Sequence, residues 1–236
     1  MSSIVIGDLH GRSVWEEIPD LLTFERIIFI GDYFDAKDDI SEEKQITNFF
    51  KVLELKKSYP EKIVLLVGNH DYHYFPFSNS EFSGFSKKLY SSISEILEKE
   101  YQNGLLEVAV LVDHFLISHS GVTKTWYAEH IGNPKGLNPS QVVEAISFKW
   151  KTQPDSFDFD HRAGASPDGD NIFQSPFMVR PNSIIEDGIP HCIQIVGHTQ
   201  VKNIKLMVEN LILCDCFGFS REVLIIKDSK YWVMEF

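Results

Sequence analysis

Residues able to coordinate a metal or move a proton fall at recurring places in this chain, where short apolar runs stop. Residues 4–6 lead into Gly7-Asp8-Leu9-His10-Gly11, and residues 27–30 into Gly31-Asp32-Tyr33-Phe34-Asp35. Residues 63–67 end in Gly68-Asn69-His70-Asp71, residues 114–118 in His119-Ser120-Gly121, and residues 193–196 in Gly197-His198-Thr199-Gln200. An amide, an imidazole and a carboxylate in a row are poor core material, because unpartnered buried polar groups cost free energy. Loops that cap strands in an α/β protein are, by contrast, where chemistry sits. Five runs therefore deliver Asp, Asn or His to one carboxyl edge.

Asp8, His10, Asp32, Asn69, His119 and His198 are oxygen and nitrogen donors without a thiolate, a set suited to Mn²⁺, Fe or Zn²⁺. Asp8 and His10 lie two apart, so in an extended segment both side chains point the same way and can share an ion. Six ligands with one bridging carboxylate are enough for two ions. Any one motif alone reads as turn chemistry or a structural histidine. Five in this order carry the inference.

The elements that must position these residues alternate in the first third. Apolar runs at 4–6, 27–30 and 63–67 read as strands. A helical pattern over 41–58 places Ile46, Phe49, Phe50, Val52, Leu53 and Leu55 on roughly one face. Ser41 caps it, with Glu42 and Glu43 in the first turn. Strand–helix–strand in this order implies parallel strands with crossover helices. A second helix is expected over 86–101, strands over 106–112 and 114–118 around an Asp113 turn, and helices over 123–130 and 140–150. Residues 152–190, rich in Pro, Gly, Asp, Asn and Ser, read as an irregular functional insertion. Short strands return from 193 onwards.

With 236 residues, the chain suits one large domain spanning 1–236. A net charge of −12 argues against binding long nucleic acid through its phosphates, which disfavours a nuclease, and fits a chain rich in carboxylates for cations. Cys192, Cys214 and Cys216 suggest no disulfide framework. The Cys-x-Cys in LILCDCF reads as buried structural thiols rather than a metal site. With no signal peptide and no membrane-length apolar stretch, the expectation is a cytoplasmic protein without a membrane partner.

The ordered set GDLHG, GDYFD, GNHD, HSG and GHTQ resembles the calcineurin-like metallophosphoesterases, above all the PPP-type serine/threonine protein phosphatases and their small bacterial and phage relatives. The resemblance runs from Gly7 to Gln200. It implies a four-layer α/β/β/α sandwich with two mixed β-sheets and a dinuclear centre at one edge. Carried across, Asp8 and His10 bind one ion, Asp32 bridges, and Asn69, His119 and His198 hold the other, with Mn²⁺ the expected metal. His70 is the general acid and Asp35 its orienting partner. The implied activity is hydrolysis of phosphomonoesters, in phosphoprotein or a small phosphorylated molecule, by a hydroxide held between the ions. The alternative is a dinucleoside polyphosphate or phosphodiester hydrolase, in which Phe157, Phe159, Phe173 or Phe177 would either stack a base or simply anchor the loop. A non-catalytic scaffold is disfavoured because every ligand and the acid are present.

Two departures stand out. GDYFD is followed by Ala36 and Lys37 instead of Arg-Gly, so the substrate phosphate is expected to meet Arg180, with Lys37 or Arg162 as rivals. GHTQ carries Gln200 where many diesterase branches have a second histidine, which favours the phosphatase branch.

Overall fold

The computed structural model describes residues 2–136, 138–162 and 166–236, so residues 163–165 of the expected insertion lie outside the described residues. Two sheets are formed. The first contains β1 (Ser2–Ile6), β2 (Arg26–Phe29), β3 (Ile63–Leu66), β4 (Leu106–Glu107), β10 (Glu222–Lys227) and β11 (Lys230–Glu235), ordered β11-β10-β1-β2-β3-β4. The second contains β5 (Ala109–Val112), β6 (Phe115–Ser118), β7 (Ile193–Val196), β8 (Lys205–Val208) and β9 (Leu211–Leu213), ordered β5-β6-β7-β9-β8. Both are mixed. In the first, β1, β2, β3 and β4 run parallel, β10 is antiparallel to β1, and β11 is antiparallel to β10 at the edge. In the second, β6, β7 and β9 are parallel.

Period-two alternation sorts the strand residues between two cores. Val5, Ile28, Ile30, Val64 and Leu66 face the second sheet and meet Val110, Phe115, Ile117, Ile195 and Ile212. Ile4, Ile6, Ile27, Phe29, Ile63 and Leu65 face outward into a larger helical core. That core receives α1 (Glu42–Ser58) through Phe49, Val52 and Leu53, spaced to share one helix face, and α3 (Lys87–Gln102) through Ile93 and Leu97. Ser41 caps α1 by accepting from the Lys44 N–H, as its sequence suggests, whereas Phe50 is left exposed rather than on the apolar face. The Lys56 ammonium then ties the end of α1 to β3 by donating to the carbonyl of Ile63 at 2.7 Å.

One apolar run serves both sheets. Residues 106–112 read as a single strand, but Leu106 and Glu107 pair with β3, while Ala109 to Val112 pair with β6. The chain changes sheets at Val108, which periodicity cannot show because both halves are apolar.

The remaining helices are the four-residue α2 (Asn69–Tyr72), α4 (Lys124–His130), α5 (Pro139–Thr152) and α6 (Pro181–Asp187). The stretch 152–190 is thus less irregular than expected: a 3-10 turn spans Pro154–Phe157, and α6 starts on Pro181, whose fixed φ suits a first helical position. Ile184 of α6 packs with Val196, Leu211 and Leu213 on the second sheet. Phe157 and Phe177, two of the rings expected to be available for a base, are fully buried. They pack on Trp150, which also meets Tyr72, Phe75, Phe77 and Tyr101. They anchor the insertion instead. Among the described residues, no helix is long and apolar enough to cross a membrane.

Trp150 also donates its indole N–H to the carbonyl of Leu106, pinning β4 from outside the sheet. Trp150→Ala should therefore cost roughly 3–5 kcal/mol, as large aromatic truncations in packed cores do. Phe148→Ala, two residues away and 69% exposed, should stay within about 0.5 kcal/mol. Urea unfolding of both variants against the parent checks the contrast; equal losses would mean that the aromatic cluster does not anchor this region.

Candidate active site

Each sheet sends the carboxyl ends of three parallel strands to one place. From the first sheet, β1, β2 and β3 deliver Asp8, Asp32 and Asn69; from the second, β6 and β7 deliver His119 and His198. The third parallel strand there, β9, delivers Asp215, a residue that the sequence reading passed over. Its signal was the same as the others', a polar residue just after an apolar run. It lies between two cysteines, in LILCDCF, which masks that signal. Those thiols, Cys214 and Cys216, are buried and free.

The strand ends meet so closely that side chains are excluded between them. A Cβ on Gly68 would lie 2.1 Å from Asp32 Oδ1, and one on Gly197 would lie 1.9 Å from Asp8 Oδ1. Glycine there lets the carboxylates occupy the space a methyl would take. His10, Asp32, Asp35 and His198 all adopt positive φ, between 45° and 61°, a region that non-glycine residues rarely enter. Such backbone strain persists only where the surroundings over-determine it, and it concentrates at functional sites.

Backbone hydrogen bonds do this fixing. The His198 N–H donates to Asp8 Oδ2 at 2.8 Å, and the His70 N–H to Asp32 Oδ1 at 2.9 Å. Asp71, the last residue of GNHD, accepts from the N–H groups of Asp32, Tyr33 and Gly68 at 2.7, 2.7 and 2.9 Å. One carboxylate thereby clamps the β2 and β3 loops together.

The imidazoles are oriented by carbonyls. His10 Nδ1 donates to the carbonyl of Phe34 at 3.0 Å and His119 Nδ1 to that of Ile30 at 3.1 Å. Because a carbonyl only accepts, the proton is on Nδ1 and the Nε2 lone pair faces inward. His10 Nε2 lies 3.5 Å from Asp32 Oδ2, and His119 Nε2 lies 3.4 Å from Asp32 Oδ1. Nδ1 of His198 and Nε2 of His119 both lie against Asn69 Oδ1, at 2.8 and 3.1 Å. Burial pushes His10 down to about 4 and also depresses His119; at His198, burial and the charge of Arg180 depress the ring further. All three are neutral near pH 7, the form that ligates.

The carboxylates divide. Burial, reinforced by the charges of Asp215 and Asp32, raises Asp8. Burial raises Asp32 too, but the imidazoles of His119, His70, His10 and His198 outweigh it and hold the group low. Among the described residues, Asp8 Oδ1, His10 Nε2 and both carboxylate oxygens of Asp215 are buried without a hydrogen-bond partner. Buried polar groups are nearly always paired, so this concentration of orphans is unusual. Two groups, Asp8 with His10 and Asp215, and Asp8 with Asp32 and His119, present ligand atoms within 4.8 Å of one another. Neutral imidazoles, an amide and carboxylates fit divalent cations. The donor set passes that test.

Beside this cluster, His70 Nδ1 lies 2.8 Å from Asp35 Oδ2, and its ring packs edge-on to His10. The Tyr74 hydroxyl donates to Asp35 Oδ1 at 2.5 Å, and His73 Nε2 lies 2.7 Å from Oδ2. His73 Nδ1 accepts from the Phe82 N–H, so its ring proton is on Nε2, facing Asp35. Burial alone would lower His70, yet the charge of Asp32 and the bond to Asp35 outweigh it and raise the imidazole above its ordinary value.

A cavity of about 380 Å³ opens over Asp32, Asn69, His70 and His198, walled by Phe82, Phe159, His161 and Met178, with Lys37 and Arg180 on its lining. Arg180 donates to the carbonyls of Asp168 and His198 and to the Thr199 hydroxyl. Arg162 is not brought to the cavity. Its guanidinium is engaged by Glu129 and Asp160 and stacks over Phe173 at 3.8 Å. Gln200 is exposed.

The model of the calcineurin-like phosphoesterase family matches residues 1–201. Among solved structures, the chain is similar to the cold-active protein-tyrosine phosphatase of a psychrophilic Shewanella species, with 13% identity and a TM-score of 0.61 over 99% of this chain and 77% of that one. It is also similar to a protein serine/threonine phosphatase of Saccharomyces cerevisiae, with 15% identity and a TM-score of 0.62 over 100% of this chain and 79% of that one. At such identities the likeness shows the shared fold. No curated relative matches in sequence. With the family model matched over residues 1–201, the chain belongs to the calcineurin-like phosphoesterases, metal-dependent hydrolases of phosphate esters.

Proposed function

We propose that this protein is a dinuclear metal-dependent phosphatase that hydrolyses phosphomonoesters. The observation that carries this reading is the convergence of Asp8, His10, Asp32, Asn69, His119 and His198 from six motif positions onto one cluster, with an oriented imidazole, His70, beside it. Asp8 and His10 would hold one cation, Asn69, His119 and His198 the other, and Asp32 would be shared. Two divalent ions, when bound, supply neutralisation of the phosphate charge and a water of lowered pKa, and Mn²⁺ suits the mixed oxygen and nitrogen donors.

The chain's own residues do the rest. Arg180, braced by three acceptors, and Lys37 line the cavity where the ester's phosphate would sit, and together they offer a fork and a point charge. His70 keeps Nδ1 on Asp35 and presents Nε2 to the cavity, from which it donates a proton to the leaving oxygen. Asp35, fixed by Tyr74 and His73, favours the protonated form of that imidazole and restrains its rotation. No covalent nucleophile is required. With Phe157 and Phe177 buried, Phe159 is the one ring of the four candidates on the cavity lining, which favours the monoester reading over one that stacks a base.

Initial rates with Mn²⁺ on an aryl phosphomonoester and the matching diester test the assignment directly. Turnover of the monoester, abolished by a chelator, is expected; a preference for the diester would overturn it. Asp32→Asn should lower metal-dependent turnover roughly 100-fold or more and reduce bound metal, since even outer partners of ligands cost 10–100-fold. Full activity at normal metal content would sink the shared-carboxylate role. His70→Asn should slow alkyl esters by about 10²–10⁴-fold and aryl esters less, because good leaving groups need little protonation. The pH profile follows from the raised His70: the acid form is lost as pH rises through its folded value, so kcat falls on the alkaline side. Removing the negative charge with Asp35→Asn should move that limb to lower pH; an unmoved limb would assign it to another group.

A further inference from the structure

Asp215 is fully buried, and neither of its oxygens has a hydrogen-bond partner among the described residues. It also has no salt bridge there; Arg12, on a neighbouring loop, gives its Nε–H to Asp38 at 2.6 Å. An unpaired carboxylate in a protein interior is strongly unfavourable, and such groups survive where they are paired or coordinate a metal. Nor does Asp215 face the substrate, for it is absent from the lining of the cavity over His70 and Arg180.

Its position is built into the sheets. Leu213 of β9 pairs with Val196 of β7, so the residues after each strand emerge side by side. Gly7, between β1 and Asp8, is pressed on the next residue: a Cβ there would lie 2.1 Å from the carbonyl oxygen of Cys214. That contact brings Asp215 against the Asp8 loop, where one of its oxygens lies within 4.8 Å of ligand atoms of both Asp8 and His10. Those two residues also carry the orphaned atoms Asp8 Oδ1 and His10 Nε2. From the β7 end, Thr199 accepts from Arg180 and Gln200 is exposed, so Gln200 does not fill this position.

We infer that Asp215 is a further protein ligand of the cation assigned to Asp8, His10 and the shared Asp32. The inference rests on the dinuclear reading above, and it makes the two positions chemically unequal. One has Asp8, Asp215 and His10, and the other has three neutral donors, Asn69, His119 and His198, with Asp32 common to both.

The test uses the full chain, stripped with a chelator and titrated with Mn²⁺ by calorimetry, with thermal unfolding of stripped and loaded protein in parallel. The parent should bind two ions. Asp215→Asn should retain one at unchanged affinity and bind the other about tenfold more weakly or worse, the least that loss of a ligand's support costs. Its stripped form should melt no lower than the parent's, since an unpaired buried charge has been removed, while the stabilisation on adding Mn²⁺ shrinks. Gln200→Ala should leave both measurements unchanged. Should Asp215→Asn be insoluble, Asp215→Ser replaces it in the same titration. Two ions bound at parental affinity by the variant, or an equal fall in melting temperature with and without Mn²⁺, would overturn the role of Asp215 and leave the dinuclear reading standing. A parent that binds no ion would overturn both.

Discussion

The structure is organised around the burial of three carboxylates, Asp8, Asp32 and Asp215, at strand ends with no lysine or arginine in contact with any of them among the described residues. Left to themselves, like charges in a medium of low polarity repel and drive the loops apart. The fold opposes this with fixed dipoles and tight backbone. N–H groups of His198 and His70 point at Asp8 and Asp32, and four neighbouring residues are held at positive φ. Bound cations would complete the compensation that these dipoles begin. The same arrangement that makes the region unfavourable in isolation suits it to hold cations.

Asp71 shows how far that pre-organisation extends. Its three backbone hydrogen bonds hold the loop carrying Asp32 in register with the loop carrying Asn69 and His70. Asn69, Asp32 and His70, the proposed ligand, shared carboxylate and general acid, thus belong to one rigid unit, while Asp35, fixed by Tyr74 and His73, hangs from the same unit. Catalysis by positioning requires this kind of rigidity, because the geometry must exist before substrate arrives.

Much of this was legible in the sequence, for a definite reason. Strand ends announce themselves by an abrupt change from aliphatic to polar residues, and parallel topology carries those ends to one edge, so Asp8, Asp32, Asn69, His119 and His198 could be read as a set. Asp215 follows the same rule, but its strand, Leu211–Leu213, is short and its neighbours are cysteines. His73 and Tyr74 were invisible because their value lies in touching Asp35, nearly forty residues earlier. The engagement of Arg162, a rival for the substrate phosphate, was hidden for the complementary reason: Glu129, which pairs with it, lies 33 residues away. Local chemistry is written locally, whereas partners created by folding are not.

The floor and the walls of the cavity come from different parts of the chain. The floor is made of residues at strand ends, where Gly68 and Gly197 leave no room for so much as a methyl group. The walls come from residues 80–83, from Phe159 and His161, and from Met178, positions outside the strands in connections anchored on buried rings such as Phe157 and Phe177. Substitutions can therefore accumulate in the walls, and change which molecule fits, without disturbing the reacting groups below. Selectivity in this architecture is free to drift while the chemistry is inherited intact.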